Sequence, residues 1–131
     1  MLGIDEIMCM LDWNNSTDEQ EKGIILARQI KNFNVFIQPC NKDFNKNVWE
    51  NCALILSEKT DEELTPYLTE LLIWLQDLTW PGAFSIFNRM CAFSNTEAFD
   101  SAYNSCILCA CALNESVWAE NLNSIKVLRN P

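Results

Sequence analysis

The chain has 131 residues, 49% of them hydrophobic, and its 18 acidic and 9 basic side chains give a net charge of −9. This length and apolar content predict one domain, residues 1–131, with a core large enough to fold unaided. The negative charge argues against binding to nucleic acid or anionic lipid and favours either a basic protein partner or a role in solubility alone.

The N-terminus and the apolar runs argue against export and membrane insertion. The opening residues M-L-G-I-D-E-I lack a basic region and carry acidic residues early, unlike a secretory signal. No stretch approaches the roughly 20 apolar residues that span a membrane. The seven cysteines are an odd number, so they cannot all pair within the chain. We therefore expect a cytoplasmic protein with reduced thiols.

Apolar residues recur with helical spacing along nearly the whole chain, which predicts an all-α protein. Two pairs, Ser16 with Glu19 and Thr60 with Glu63, have the spacing of capping boxes at helix starts. The segment 35–37 has strand propensity, but it has no partner strand and a proline follows it closely. The helices are expected near residues 4–12, 17–32, 45–57, 66–77, 81–93, 96–112 and 115–127.

The stretch W-L-Q-D-L-T-W-P-G-A-F, residues 74–84, predicts a corner between two packed helices. Pro81 is expected to be the first residue of the second helix, with Thr79 or Trp80 as its cap. Asp77 would add negative charge near the N-terminus of that helix. The small residues after the proline would allow the preceding helix to approach closely.

A faint internal repeat predicts a similar corner near the N-terminus. M-L-D-W, ending at Trp13, resembles L-Q-D-L-T-W, ending at Trp80, and the aspartates are Asp12 and Asp77. V-W-E-N-C-A-L-I-L and V-W-A-E-N-L-N-S-I form a second pair at nearly the same separation. These matches predict two three-helix units that stack on a shared core.

The segment L-L-I-W-L-Q-D-L-T-W-P-G-A, residues 71–83, resembles the W-L-Q-D-x-N-W-P signature of an uncharacterised bacterial family, a domain of unknown function. The resemblance covers roughly residues 44–95 best. Thr79 replaces the usual asparagine, and both residues can cap a helix. The resemblance implies a short HEAT-like or armadillo-like stack of about seven helices. It brings no activity, but similar small acidic helical proteins occur as immunity or accessory partners of bacterial toxins.

The residue inventory argues against an enzyme or a metal protein. Histidine is absent, and the three glycines are isolated, so the common nucleophile triads, catalytic zinc sites and phosphate loops are excluded. Cys106, Cys109 and Cys111 are the best metal candidates, but Cys111 lies about 200° from Cys109 around a helix. We therefore predict no metal and no cofactor. Cys40, beside Lys42, is the thiol expected to be most exposed, with a redox role as a minor alternative.

The two corners supply the candidate binding residues. Asp12 and Asp77 either orient the next helix, which is favoured, or belong to a site. Trp13 and Trp80 are the best interface anchors if any tryptophan lies outside the core. The sequence thus predicts a non-enzymatic module for a basic protein partner, with an immunity-type role as its most specific form. The alternative is a self-associating structural or accessory protein, such as a homodimer.

Overall fold

Helices make up all the regular secondary structure in the computed structural model, which describes residues 3–39 and 44–129. Because α4 continues through a 3-10 turn into α5, these residues form an all-α stack of about seven helices, as predicted. Within them, no helix is both long enough and apolar enough to cross a membrane. The α-helices are α1 (Ile4–Met10), α2 (Thr17–Arg28), α3 (Trp49–Ser57), α4 (Asp61–Leu64), α5 (Leu68–Ile73), α6 (Ala83–Cys91), α7 (Thr96–Ala112) and α8 (Ser116–Arg129).

Local capping explains where α4 begins, which the sequence placed too late. The capping box is complete: the hydroxyl of Thr60 accepts from the backbone N–H of Glu63 at 3.1 Å, and the Glu63 carboxylate accepts from the N–H of Thr60 at 3.0 Å. The helical segment therefore begins at Asp61 rather than at Pro66, which lies in the 3-10 turn Thr65–Tyr67. At Ser16 one of the two hydrogen bonds of the predicted capping box forms: the hydroxyl of Ser16 accepts from the backbone N–H of Glu19 at 3.2 Å.

The predicted apolar faces pack into one hydrophobic core. Leu71, Leu72 and Leu75 of the fourth predicted helix are fully buried, and the segment 35–37 forms no strand. Two large indoles are held by hydrogen bonds inside this core. Trp118 donates from Nε1 to the carbonyl of Leu72 at 3.1 Å, and Trp74 donates from Nε1 to the carbonyl of Pro81 at 3.0 Å.

Helix α3 lies between α2 and α6, and all three helices run in the same direction. Asn51, in the first turn of α3, donates to the side chain of Gln20 in α2 at 2.9 Å, and Arg28 at the end of α2 pairs with Glu58 just beyond α3. On the other side, the N–H of Gly82 bonds to the carboxylate of Glu50 at the start of α3. The N-terminal ends of α2, α3 and α6 therefore share one end of the molecule.

Asp61 ties the start of α4 to the end of α6, and its ionisation should make the fold sensitive to acid. Ser94, through its hydroxyl and its backbone N–H, and Arg89, through its guanidinium, lower the pKa of Asp61 from 3.8 to about 2. Because the folded-state pKa is depressed, this stabilisation is present above about pH 4 and is lost as the pH falls towards 2.

Replacing Asp61 with asparagine should therefore lower the free energy of unfolding at pH 7 by about 2 kcal/mol, a value typical of charge-assisted hydrogen bonds. Urea denaturation at several pH values measures this change. The difference in the free energy of unfolding between the variant and the wild type should become smaller below about pH 4. Glu62→Gln, at an exposed neighbouring carboxylate, is the matched control. If this difference in the free energy of unfolding were as large at pH 2 as at pH 7, the stabilisation would not come from the ionised carboxylate of Asp61.

Candidate functional site

The predicted corner at residues 74–84 exists, but its second helix begins later and is capped differently from the prediction. Gly82, not Thr79 or Trp80, is the N-cap residue, and its φ of 82° lies in the left-handed region. The cap comes from another helix, because the carboxylate of Glu50 accepts from the N–H of Gly82 at 2.7 Å. Pro81 stands outside α6, where its carbonyl accepts from the indole of Trp74.

Gly82 also allows the close approach that the sequence predicted for the small residues of the corner. A Cβ atom at this position would lie 2.6 Å from the Cβ of Ala53 and 2.8 Å from the carbonyl oxygen of Trp49. Both atoms belong to α3, so the close neighbour is this helix and not the helix that immediately precedes the corner. Because Gly82 has no side chain, the corner can pack directly against the backbone of α3.

The two predicted aspartates each close a local turn, so neither caps a helix. Asp77 accepts from the backbone N–H of Thr79 at 2.8 Å and from its hydroxyl at 2.6 Å. These bonds, together with the charge of Lys46, lower the pKa of Asp77. Asp12 accepts in the same way from the N–H of Asn14 at 2.8 Å. The two corners thus share one turn geometry, while the repetition of whole three-helix units stays a prediction.

Three indoles meet at the second corner. The ring of Trp49 packs edge-to-face against Trp74, at 5.9 Å between centroids, and against Trp80, at 5.6 Å and an interplanar angle of 87°. The ammonium of Lys46 lies 5.6 Å from the Trp49 centroid and 5.5 Å from the Trp80 centroid. We call the corner formed by the rings of Trp49 and Trp80, where the ammonium of Lys46 lies, the tryptophan crevice.

The tryptophan crevice opens into a pocket of about 500 Å³ with aromatic walls and a polar rim. Its lining includes Pro39, Phe44, Lys46, Trp49, Gln76 and Trp80. Trp49 is only 6% exposed, and its buried indole N–H has no hydrogen-bond partner among residues 3–39 and 44–129. A buried donor without an acceptor is rare in folded proteins and calls for an explanation.

The structure brings the four predicted site residues to the same end of the molecule. The backbone N–H of Trp13 donates to the carbonyl of Asn47 at 3.1 Å, beside the 3-10 turn Lys46–Val48. Trp13 is 46% exposed, whereas Trp80 is half-buried against Trp49. The two corners therefore flank the turn at Lys46–Val48. We call the surface formed by Asp12, Trp13, Lys46, Asp77 and Trp80 the corner surface.

Two members of this arrangement were not identified from the sequence. Lys46 was not considered, although it stands three residues before Trp49, and residues at this spacing share one face at the start of a helix. Glu50 was not considered either, because its partner Gly82 lies 32 residues away and no local pattern links them. Trp49 lies within the predicted helix 45–57 and is buried in the structure.

A larger pocket, of about 710 Å³, is less suited to recognition. Ile4, Ile30, Val35 and Ile37 supply most of its apolar wall, and Glu70 is the one charged residue among the described residues that line it. Two buried side-chain atoms lack a hydrogen-bond partner among the described residues, the Oε1 of Gln38 and the Nε1 of Trp49, and neither residue lines this pocket. It therefore offers a ligand little that could give specificity.

The cysteines do not form a common site in the described residues. Cys106 is buried, with its thiol 3.8 Å from the carbonyl oxygen of Thr69, whereas Cys109 and Cys111 are exposed. Among residues 3–39 and 44–129, no three cysteine or carboxylate side chains are grouped so that they could hold a metal ion. Burial raises the pKa of the Cys52 thiol, which makes it a poor nucleophile. The predicted exposed thiol, Cys40, lies outside the described residues.

Comparison with known proteins gives one match. Residues 45–108, a little under half of the chain, match the sequence model of a family described as a domain of unknown function (DUF5071). This segment contains the tryptophan crevice, Asp77 and Gly82, but neither Asp12 nor Trp13. The chain matches no curated protein and no solved structure at a significant level. The expected resemblance is thus confirmed at the level of a domain of unknown function.

Proposed function

We propose that this chain is a non-enzymatic protein-binding module whose corner surface holds a basic segment of a partner protein. The observation that carries the proposal is the half-buried Trp80 of the tryptophan crevice, seated beside the ionised Asp77 and already in contact with a cation. Aromatic side chains at the edge of a pocket are frequent anchors of protein interfaces. The net charge of −9 would steer a basic partner towards the molecule.

The chemistry of the corner surface supports binding rather than catalysis. The chain has no histidine, and the depressed pKa of Asp77 makes its carboxylate a weak base. Both aspartates already accept hydrogen bonds from their own turns, which fixes their orientation. Carboxylates held in this way provide a rigid negative surface for a cation.

A HEAT-like organisation fits this role. The parallel course of α2, α3 and α6 supports a stack in which equivalent helices lie side by side. In such stacks the turns that connect the helices lie along the edges. Here the turns that precede α2, α3 and α6 form the corner surface. Neutralisation of a basic bacterial toxin domain, an immunity-type role in the cytoplasm, is the most specific form of the proposal.

Copurification from the native host at low and at moderate salt would identify the partner, and its binding kinetics would then test the site. Trp80→Ala should reduce the affinity at least about tenfold, as expected for an aromatic anchor. Asp77→Asn keeps an acceptor for the N–H of Thr79 but removes the charge, so it should slow association. In the wild type, the association rate should fall steeply as salt rises.

Two variants outside the corner surface serve as matched controls. Leu108→Ala truncates an exposed apolar side chain, and Glu62→Gln removes an exposed charge next to Asp61, at the C-terminal end of α6; neither should alter partner binding. Full binding by a folded Trp80→Ala variant would refute the assigned surface. An association rate that is independent of salt would refute the electrostatic part.

Self-association is a second candidate, supported by a different surface. Around the turn between α7 and α8, Leu108, Leu113 and Val117 are 70%, 61% and 58% exposed. Exposed apolar side chains can be buried when a protein associates with itself, and a second copy of the chain would cover these three. Sedimentation velocity across a dilution series decides this, because a stable dimer that Leu108→Asp dissociates would favour it over a foreign partner.

A further inference from the structure

We propose that the tryptophan crevice is a receptor for a lysine side chain of the partner, and that Lys46 occupies it as an internal competitor until the partner binds. This inference rests on the proposed function and specifies the chemical group recognised at the same site. It further implies that the module binds its partner less tightly than it would if Lys46 did not occupy the crevice.

The geometry of the crevice suits an ammonium group. The rings of Trp49 and Trp80 stand nearly perpendicular, at 87°, and the ammonium of Lys46 lies over both of them. Cation–π attraction acts within about 6 Å of a ring centroid, and the ammonium of Lys46 satisfies this for both rings at once. A single cation shared by two indoles is the arrangement of an aromatic cage.

Lys46 can leave the crevice without disturbing the fold. It is an exposed residue in a 3-10 turn of three residues, and that turn is capped by Asn45 rather than by Lys46. A cation–π contact at such a site is worth on the order of 1 kcal/mol, which a competing lysine could replace. By contrast, Trp49 and Trp74 are buried and keep the wall in place.

The charges around the crevice favour a cation as its occupant. Asp77 interacts with Lys46, and Glu50 lies at the start of the adjoining helix, where it is held by the N–H of Gly82. If Lys46 leaves the crevice, the two carboxylates stay in place beside the aromatic rings, and no cation lies on those rings. A lysine from a basic partner restores that charge, whereas an acidic segment would be repelled.

Trp49 adds a second observation at the same site. Its indole N–H is buried with no acceptor among the described residues, and Trp49 lines the same pocket. An acceptor supplied by the partner would therefore be favourable. A main-chain carbonyl next to the incoming lysine is the acceptor that every peptide segment carries.

Variants of Lys46 separate occupancy from charge. Lys46→Ala empties the crevice and removes the charge, whereas Lys46→Met removes the charge but keeps a side chain of similar length in place. The probe is a capped tripeptide, acetyl-Ala-Lys-Ala-amide, titrated while the indole N–H signals are followed by NMR, with a norleucine tripeptide as the uncharged reference. Lys59→Ala is the matched control, because Lys59 also lies over a ring, that of Phe33, at 5.3 Å.

We expect Lys46→Ala to bind the lysine peptide roughly fivefold more tightly than the wild type, since it removes an internal competitor worth about 1 kcal/mol. The shifts should fall on the Trp49 and Trp80 signals. Lys46→Met should gain less, and Lys59→Ala and the norleucine peptide should show no gain. Equal gains for Lys46→Ala and Lys46→Met, or no gain for either, would overturn the inference.

The partner protein distinguishes failure of this inference from failure of the proposed function. If Lys46→Ala gains nothing for the peptide while Trp80→Ala still abolishes partner binding, the lysine receptor is refuted and the binding module stands. If Lys46→Ala gains for the peptide while Trp80→Ala leaves the partner bound, the crevice binds lysine and the proposed docking surface is refuted.

Discussion

Gly82→Ala should lower the free energy of unfolding by about 3 kcal/mol, combining the strain of a left-handed φ with the overpacking of a core contact. The φ of 82° disfavours any residue with a Cβ atom. The added methyl would also meet the carbonyl oxygen of Trp49 and the Cβ of Ala53 at under 3 Å, and neither belongs to a flexible side chain that could move aside. Urea denaturation followed by circular dichroism measures the change.

Gly3→Ala is the control for this prediction. A Cβ atom at Gly3 would meet nothing within 4 Å, so its stability should stay within about 0.5 kcal/mol of the wild type, as for other surface changes. The double variant Gly82→Ala with Ala53→Gly should recover only part of the loss, because the contact with the Trp49 carbonyl and the strained φ remain. A stable Gly82→Ala protein would mean that the corner does not sit on α3 as described.

Trp74→Ala should cost about 4 kcal/mol, which is the range for removing a large aromatic side chain from a core. Trp74 is fully buried, it packs edge-to-face on Trp49, and its N–H holds the carbonyl of Pro81. The substitution therefore removes the ring that supports Trp49 of the tryptophan crevice as well as the hydrogen bond that shapes the corner. Thermal and urea unfolding measure the loss.

A matched pair of phenylalanine variants isolates the contribution of the indole N–H. Trp74→Phe removes the hydrogen bond to the carbonyl of Pro81, whereas Trp49→Phe removes a donor for which the described part of the chain offers no acceptor. Both lose similar volume, so Trp74→Phe should be the more destabilising by about 1 kcal/mol, the usual net value of one hydrogen bond. Equal losses would indicate that the N–H of Trp49 has a partner in solution.

The sequence was sufficient for the helices and for the core, because both depend on local periodicity. Leu71, Leu72 and Leu75 follow helical spacing and are buried, and the predicted helix 96–112 has the bounds of α7. The internal likeness of two short segments also led to Trp13 and Trp80, which the fold places at one end. Turn chemistry was less accessible, since Asp77 closes its own turn and does not cap α6.

What the sequence could not supply were the contacts between residues far apart in the chain. Nothing near Glu50 indicates that it would bind the N–H of Gly82, and nothing near Lys46 indicates that it would rest on Trp80. Such contacts depend on how whole helices pack, which side-chain periodicity does not determine. The candidate site consists largely of contacts of this kind, so it was predicted only at its two corners.

The cap on Gly82 has a consequence for the order of folding. Helix α6 has no capping side chain of its own and no acidic residue in its first turn, so its start is defined by Glu50. A newly formed α6 gains this stabilisation only after the chain segment between Glu50 and Gly82 has brought its two ends together. Bringing them together costs conformational entropy, and this cost precedes any stabilising contact between α3 and α6. In contrast, α4 carries its complete capping box within four residues. Helix α6 should therefore form late in folding, once α3 is in place to receive it.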